Sequence, residues 1–143
     1  MAKRTATAVW NGTLKEGNGE MSLGGGAFTG QYSFGSRFEE GAGTNPEEMI
    51  AAAQAGCYSM QFAAMLDAAG HTAESVTTDA DVHLTPKDGG GFEISRIDIH
   101  TRGKVSGIEA GDFERIANEA KEACLISAAL AGVPEITLDA TLE

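Results

Sequence analysis

The sequence predicts an α+β fold with the element order βββ-α-ββ-α-β, in one domain that covers residues 1–143. Short segments that alternate between apolar and polar residues are typical of strands. Two longer segments have helical spacing of apolar residues and recognisable caps, which is typical of helices. No internal repeat or linker interrupts the chain, whose length is that of one ordinary domain.

The N-terminal third is predicted to form short strands separated by turns. The first ends at Asn11-Gly12, a strong turn signal. We interpret the glycine run at 24–26 as a loop, since neither a lysine nor a helix follows it as in a phosphate-binding loop. The last strand-like segment is QYSFGSRF, with Arg37 near its end. The three strands are expected at residues 4–10, 13–17 and 20–23, and residues 31–38 are strand-like.

Residues 43–70 predict one long helix around which the fold is organised. Asn45 or Thr44 can cap it, and Gly70 is a natural stop. With Thr44 as the cap, Thr44 and Glu47 have the spacing of a capping box. Apolar residues occupy most of the circumference, so we expect burial on nearly every side. One sheet covers only one side, which predicts a homodimer that encloses each helix.

The second half of the chain is predicted as a hairpin, a helix and a final strand. Alternation is broken at Ser95-Arg96, which predicts a β-bulge there. The helix carries Cys124 on its apolar stripe, and Gly132 and Pro134 end it. The hairpin strands are expected at 73–84 and 92–105, the helix at 113–131 and the strand at 135–143.

Charge and targeting signals limit the partners. The formal net charge of −11 repels nucleic acid phosphates and anionic membranes. Neither a signal peptide nor a long apolar segment is recognisable, so we expect a cytoplasmic protein. The three histidines are scattered without the spacing of metal ligands, so no metal site is predicted.

Two cysteines allow two interpretations. Cys57 lies in the middle of the long helix and Cys124 in the later one. A permanent disulfide is not expected in a reducing cytosol. The two thiols are therefore either buried packing groups or a transient redox pair.

Arg37 is the cation whose position suggests a role beside Cys57, since positive charge lowers the pKa of a cysteine. A guanidinium in a dry site is oriented by a carboxylate, and Glu47 and Glu48 are the candidates. Glu47 lies about 80° around an ideal helix from Cys57 and Glu48 about 180°, which favours Glu47. Simple helix N-terminal charge is the alternative role for either glutamate. Both lie roughly 14–15 Å along the axis from Cys57. Arg37 must therefore bridge this gap, or the helix must bend or break, with Gly56 as a candidate position.

The chain resembles the OsmC/Ohr family of thiol-dependent peroxidases, and more closely its OsmC branch. In the Ohr branch, the arginine that corresponds to Arg37 lies much nearer the N-terminus. This chain has no arginine between Arg4 and Arg37, which favours the OsmC branch. An arginine twenty residues before a cysteine, with N-P-E-E opening the helix between them, is the specific part of the match. The matching segments are VWNGTLKEGNGEMS, FGSRFEEGAGTNPEEMIAAAQAGCYSM, KEACLISAAL and EITLDATL.

The resemblance implies an intertwined homodimer in which two antiparallel sheets surround central helices, with active sites at the interface. It implies reduction of organic hydroperoxides and, less selectively, of hydrogen peroxide. Cys57 would be oxidised to a sulfenic acid, and Cys124 would resolve it as a disulfide. Arg37 would stabilise the thiolate and polarise the peroxide, and Glu47 would hold Arg37. No metal, flavin or haem cofactor would be needed, but an external dithiol reductant would.

One departure from the family pattern concerns the second cysteine. Family members usually have proline directly after it, and here Leu125 follows. Leucine allows the predicted helix to continue through Cys124.

The alternative function is a non-enzymatic dimer that binds a small apolar ligand and merely buries Cys57. A ligand pocket does not require this arginine, glutamate and two cysteines together, which favours the peroxidase.

Overall fold

The computed structural model describes residues 1–143 and contains six strands and four helices, which confirms the α+β class. Its contacts divide the chain into two compact units, Met1–Met49 and Ile50–Glu143. That residues 1–143 form a single domain stays a prediction. The elements are β1 (Ala6–Asn11), β2 (Asn18–Leu23), β3 (Thr29–Ser33), α1 (Phe34–Phe38), α2 (Pro46–Ala68), β4 (Ala73–Pro86), β5 (Phe92–Val105), α3 (Ala110–Ala123), α4 (Leu125–Ala129) and β6 (Glu135–Leu142).

The first unit contains a three-stranded antiparallel sheet in the order β1-β2-β3. The strand predicted at residues 13–17 is absent. Gly12, at a φ of 89°, lies directly after β1. The backbone N–H of Gly17 then donates to the Thr13 carbonyl at 2.9 Å. Residues 13–17 therefore form the turn between β1 and β2 rather than a strand.

The segment 31–38 is also different from its prediction. Only its first part is strand, because β3 ends at Ser33 and α1 begins at Phe34. Ser33 and Ser36 cap this short helix reciprocally. The Ser36 N–H donates to Ser33 Oγ at 3.2 Å, and the Ser33 N–H donates to Ser36 Oγ at 2.8 Å. Arg37 consequently lies on a helix and not at the end of a strand.

The predicted long helix is α2, which has 23 residues and no interruption. Asn45 is its cap, since Asn45 Oδ1 accepts a hydrogen bond from the Glu48 N–H at 2.8 Å. The capping box predicted for Thr44 and Glu47 does not form. The end at Gly70 is confirmed, because Gly70 has a φ of 87° and the His71 N–H donates to the carbonyl of Leu66.

The two faces of α2 differ strongly in burial. Gln54, Tyr58, Phe62 and Leu66 form a stripe that is fully buried. The opposite face is exposed in the single chain, and Met60 on it is 78% exposed. Burial on nearly every side is therefore wrong for one chain. The exposed residues of that face are Ala52, Ala53, Gly56, Met60 and Ala64.

The second unit contains the sheet β4-β5-β6 with β5 in its centre. β5 pairs antiparallel with β4 and parallel with β6, so this sheet is mixed and not purely antiparallel as expected. The predicted bulge is confirmed, since His83 pairs with Arg96 and Leu84 with Ile94, which leaves Ser95 unpaired. Apolar side chains of α2, β5 and α3 form the core of this unit.

The predicted helix 113–131 is broken at Cys124, and this corrects the expectation that it continues. Cys124 has a φ of −68° and a ψ of 122°, which is extended backbone between α3 and α4. The break leaves the first N–H groups of α4 without helical partners, and those of Ile126 and Ser127 turn to the Cys124 sulfur instead. The helix is therefore broken at Cys124 although Leu125, and not a proline, follows it. None of the four helices combines the length and the apolarity needed to cross a membrane.

Candidate active site

Arg37 and Glu47 form a close ion pair within the first unit. Arg37 Nη2 lies 2.8 Å from Glu47 Oε1, and Arg37 Nε lies 3.3 and 3.2 Å from the two carboxylate oxygens. The Glu47 side chain is only 11% exposed, and that of Arg37 is 36% exposed. Glu48 accepts a hydrogen bond from Thr44 Oγ1 instead, at 3.0 Å. Of the two candidate glutamates, Glu47 is thus the one that orients the guanidinium.

Aromatic rings lie on one side of the Arg37 guanidinium. The Arg37 guanidinium carbon lies 5.0 Å from the centre of the Phe38 ring, within the range of a cation–π contact. Within the first unit, a cavity of about 280 Å³ opens beside the guanidinium. Its ring-bearing lining residues are Trp10, Tyr32, Phe34 and Phe38. An apolar group with a polar end could be held here, with the polar end at Arg37.

Cys57 and Cys124 lie together within the second unit. Their Sγ atoms are 3.2 Å apart, and both are free thiols. Cys57 comes from the middle of α2, and Cys124 from the break between α3 and α4. Cys57 is half-buried, whereas Cys124 is completely buried. A solute therefore has better access to Cys57 than to Cys124.

The surroundings of the two sulfurs favour different protonation states. Burial raises the pKa of the Cys57 thiol, and the neighbouring Cys124 sulfur raises it further. Burial also acts to raise the pKa of Cys124. The backbone N–H and the hydroxyl of Ser127 donate hydrogen bonds to this sulfur, and its hydrogen bond with Cys57 acts in the same direction, so the net result is a lowered pKa. In the single chain, these surroundings therefore favour the charged form of the Cys124 sulfur more than that of Cys57.

Gln54 contacts the same sulfur from α2. Its Nε2 donates to Ser127 Oγ at 2.9 Å and lies 3.6 Å from Cys124 Sγ. Gln54 was not among the site residues predicted from the sequence. The available signal was that Gln54 is the only polar side chain between Glu48 and Cys57 in an otherwise apolar segment.

The structure thus brings the four candidate residues together as two pairs, Arg37 with Glu47 and Cys57 with Cys124. The break considered at Gly56 is absent, because α2 is helical throughout. No group of three or more His, Cys, Asp or Glu side chains is arranged to hold a metal ion.

Comparison with known proteins adds evidence from sequence. The family model described as OsmC-like protein matches residues 39–139, a range that contains Glu47 and both cysteines. The chain is 44% identical over 137 residues to Peroxiredoxin OsmC of Escherichia coli strain K12, which covers 95% of this chain and 94% of that protein. It is 31% identical over 110 residues to the uncharacterised protein YmaD of Bacillus subtilis strain 168, which covers 72% and 71% of the two chains.

Solved structures with the same fold include two proteins concerned with organic hydroperoxide resistance. One is the organic hydroperoxide resistance protein OsmC from Legionella pneumophila, with a TM-score of 0.74, 22% identity and 99% coverage of both chains. The other is the organic hydroperoxide resistance protein OhrB of Bacillus subtilis, with a TM-score of 0.68 and 19% identity, covering 97% of this chain and 98% of that one.

Proposed function

The chain belongs to the OsmC family and is a peroxidase, and we propose that it reduces organic hydroperoxides, and hydrogen peroxide less selectively, through Cys57. The observation that carries this proposal is the pair of free sulfurs 3.2 Å apart. A disulfide bond is about 2.05 Å long, so only a small side-chain movement separates the pair from a disulfide. Reversible oxidation of such a pair is the chemistry of a thiol peroxidase.

We assign the peroxide-reactive role to Cys57, because it is the more accessible sulfur. Its thiolate attacks the terminal peroxide oxygen, the O–O bond breaks, and the alkoxide takes up a proton and leaves as alcohol. Cys57 is then a sulfenic acid. Cys124 attacks the Cys57 sulfur, the S–O bond breaks, and hydroxide takes up a proton and leaves as water. The product is a Cys57–Cys124 disulfide.

Arg37 supplies the positive charge that Cys57 needs in this proposal. Burial raises the pKa of Cys57, so a thiolate at neutral pH requires nearby positive charge. The guanidinium also polarises the peroxide as the O–O bond breaks, and Glu47 holds it in one orientation. The aromatic cavity beside Arg37 would accommodate the organic part of the substrate.

The reaction cycle closes when an external dithiol reduces the disulfide by exchange, and its two thiols become a disulfide in turn. The steps above use only sulfur chemistry, so we propose that no metal, flavin or haem takes part. A cytoplasmic location fits this cycle, because reducing conditions there regenerate both thiols.

We propose that the active assembly is a homodimer. The face of α2 that includes Ala52, Gly56 and Met60 is apolar and exposed in the single chain. A second copy would cover it and remove this surface from water. Substitution Met60→Glu should then give a monomer in analytical ultracentrifugation, whereas Lys87→Glu, in the turn between β4 and β5, should leave the dimer intact.

The proposed function is tested by consumption of cumene hydroperoxide in the presence of dithiothreitol. The wild-type chain should consume it catalytically, and the Cys57→Ser variant should not. Intact mass after one equivalent of peroxide should show the loss of two hydrogens that marks the disulfide. If wild type and Cys57→Ser consume peroxide equally slowly, the chain is not a peroxidase through this cysteine. The non-enzymatic ligand-binding alternative would then be preferred.

A further inference from the structure

Gln54 is a polar side chain in a place where the fold alone would favour an apolar one. It is fully buried, on the α2 stripe that continues with Tyr58, Phe62 and Leu66. Its Oε1 is the one buried side-chain oxygen or nitrogen that lacks a hydrogen-bond partner. An unpaired buried acceptor destabilises the folded state, and methionine, of similar size, would avoid this cost. Packing therefore does not explain the amide.

The amide nitrogen of Gln54 points to a second role. Nε2 has two protons, and its neighbours are Ser127 Oγ at 2.9 Å and Cys124 Sγ at 3.6 Å. The Ser127 hydroxyl is itself hydrogen-bonded to the Cys124 sulfur. The donors thus form a chain from Gln54 through Ser127 to the sulfur, and a polarised chain of this kind stabilises negative charge at its end.

We propose that Gln54 is a positioning residue for disulfide closure, which together with Ser127 holds the Cys124 sulfur as a thiolate directed at Cys57. This inference rests on the proposed function, because it presumes that Cys124 resolves the sulfenic acid of Cys57. In that step Cys124 supplies the electron pair for the new S–S bond. The oxygen leaves Cys57 as hydroxide and becomes water, so no further oxidant or reductant is required.

Other groups beside Cys124 do not replace this role. The titratable groups that interact with its sulfur are Cys57 and Tyr58, both on α2. Burial and the nearby Cys124 charge raise the pKa of Tyr58, and its hydroxyl donates to the Ala117 carbonyl at 2.9 Å. Tyr58 therefore remains a neutral phenol that is bonded elsewhere. Gln54 and Ser127 remain as the side chains that can stabilise the Cys124 thiolate when it attacks the sulfenic acid of Cys57.

The test compares Gln54→Met with Gln61→Met, the same chemical change on the same helix at a half-buried glutamine. Each full-length protein is mixed with one equivalent of cumene hydroperoxide, and samples are quenched with acid for intact mass. The ratio of the rate of disulfide closure to the rate of Cys57 oxidation should fall about tenfold in Gln54→Met, as expected for loss of a hydrogen bond to a charged group. Gln61→Met should retain the wild-type ratio.

A pH profile separates this role from a merely structural one. In the Cys57→Ser background, the alkylation rate of Cys124 by iodoacetamide is measured against pH with and without Gln54→Met. The midpoint should move to higher pH with Gln54→Met and stay unchanged with Gln61→Met. Thermal unfolding should show that Gln54→Met is as stable as wild type, since the unpaired oxygen is removed. If Gln54→Met does not fold, Ser127→Ala takes its place and should slow closure in the same direction.

The outcomes distinguish this inference from the proposed function. A wild-type chain that forms no Cys57–Cys124 disulfide overturns the proposed function and this inference together. A wild-type chain that closes normally, with Gln54→Met and Ser127→Ala closing equally fast, overturns this inference alone. Slower closure with an unchanged alkylation midpoint also contradicts it, because the amide would then act on packing and not on the thiolate.

Discussion

The two compact units stabilise charged side chains in different ways. In the first unit, Arg37 and Glu47 neutralise each other at a position that is partly open to solvent. In the second, the Cys124 sulfur is completely buried without a counter-ion of its own, and hydrogen-bond donors lower its pKa. A salt bridge near the surface tolerates change, whereas a buried anion depends on every donor around it. We therefore expect substitutions at the Cys57–Cys124 pair to abolish individual reaction steps. Substitutions at the Arg37–Glu47 pair should only slow the oxidation of Cys57.

The largest expected effect is that of Cys124→Ser. Without the resolving thiol, Cys57 should remain a sulfenic acid and be oxidised further to the sulfinic acid when peroxide is in excess. Intact mass after several equivalents of peroxide should show added oxygen on Cys57, while wild type shows only the disulfide. A Cys124→Ser protein that still forms an intramolecular product without added oxygen would contradict the resolving role.

Replacement of Arg37 tests the other side of the comparison. Arg37→Ala should slow oxidation of Cys57 by about 100-fold or more, the usual loss when one donor at a developing charge is removed. Stopped-flow measurement of thiol consumption by cumene hydroperoxide would report this rate. Arg115→Ala is the control, since Arg115 forms exposed ion pairs with Asp112 and Glu119 on α3. Equal rates for Arg37→Ala and wild type would remove Arg37 from the site.

Glu47 should matter less than Arg37, because it acts through the guanidinium. Glu47→Gln keeps the size of the side chain but removes the charge, and we expect a reduction of about tenfold in the rate of Cys57 oxidation. Glu48→Gln, one residue away and bonded to Thr44, should leave that rate unchanged. The opposite order of the two variants would mean that Glu48 is the functional partner.

The smallest expected effect concerns Asp98, a charge of the second unit that has no place in the proposed reaction. A hydrogen bond from Thr137 and others from Arg96 and His83 lower the pKa of Asp98 to about 2, from an ordinary value of 3.8. The folded state therefore favours the ionised form. This contribution to stability is present above about pH 4 and is lost as pH falls toward 2.

Chemical denaturation at pH 5, 4, 3 and 2 checks this prediction. The free energy of unfolding should fall less steeply with decreasing pH in Asp98→Asn than in wild type. Peroxide reduction at neutral pH should be the same in both proteins. A clear loss of activity in Asp98→Asn would show that the charges of the sheet also contribute to the reaction.

Local signals explain what the sequence predicted well. Three predicted features each depend on a few neighbouring residues, and the structure has all three. They are the alternation of apolar and polar residues in β5, the β-bulge at Ser95 and the end of α2 at Gly70. The reciprocal capping by Ser33 and Ser36 was also a local signal, but the prediction for this segment used only its aromatic residues. The spacing of Arg37, Glu47 and Cys57 likewise selected the glutamate that forms the ion pair.

Tertiary contacts explain what the sequence could not predict. No glycine or proline marks the break at Cys124, which accompanies the contacts of its sulfur with Cys57 and Gln54 across the core. The composition of α2 indicated that much of its surface avoids water. It did not indicate which face the same chain covers and which face remains open.

The open face of α2 has a consequence for the stability of one chain by itself. A Cβ atom added to Gly56 would meet no heavy atom within 4 Å. Glycine inside a helix is about 1 kcal/mol less favourable than alanine, so Gly56→Ala should stabilise an isolated chain. In the proposed homodimer, glycine would instead allow a second backbone to approach closely. Folding and assembly thus make opposing demands on one position, directly beside the cysteine to which we assign the reaction with peroxide.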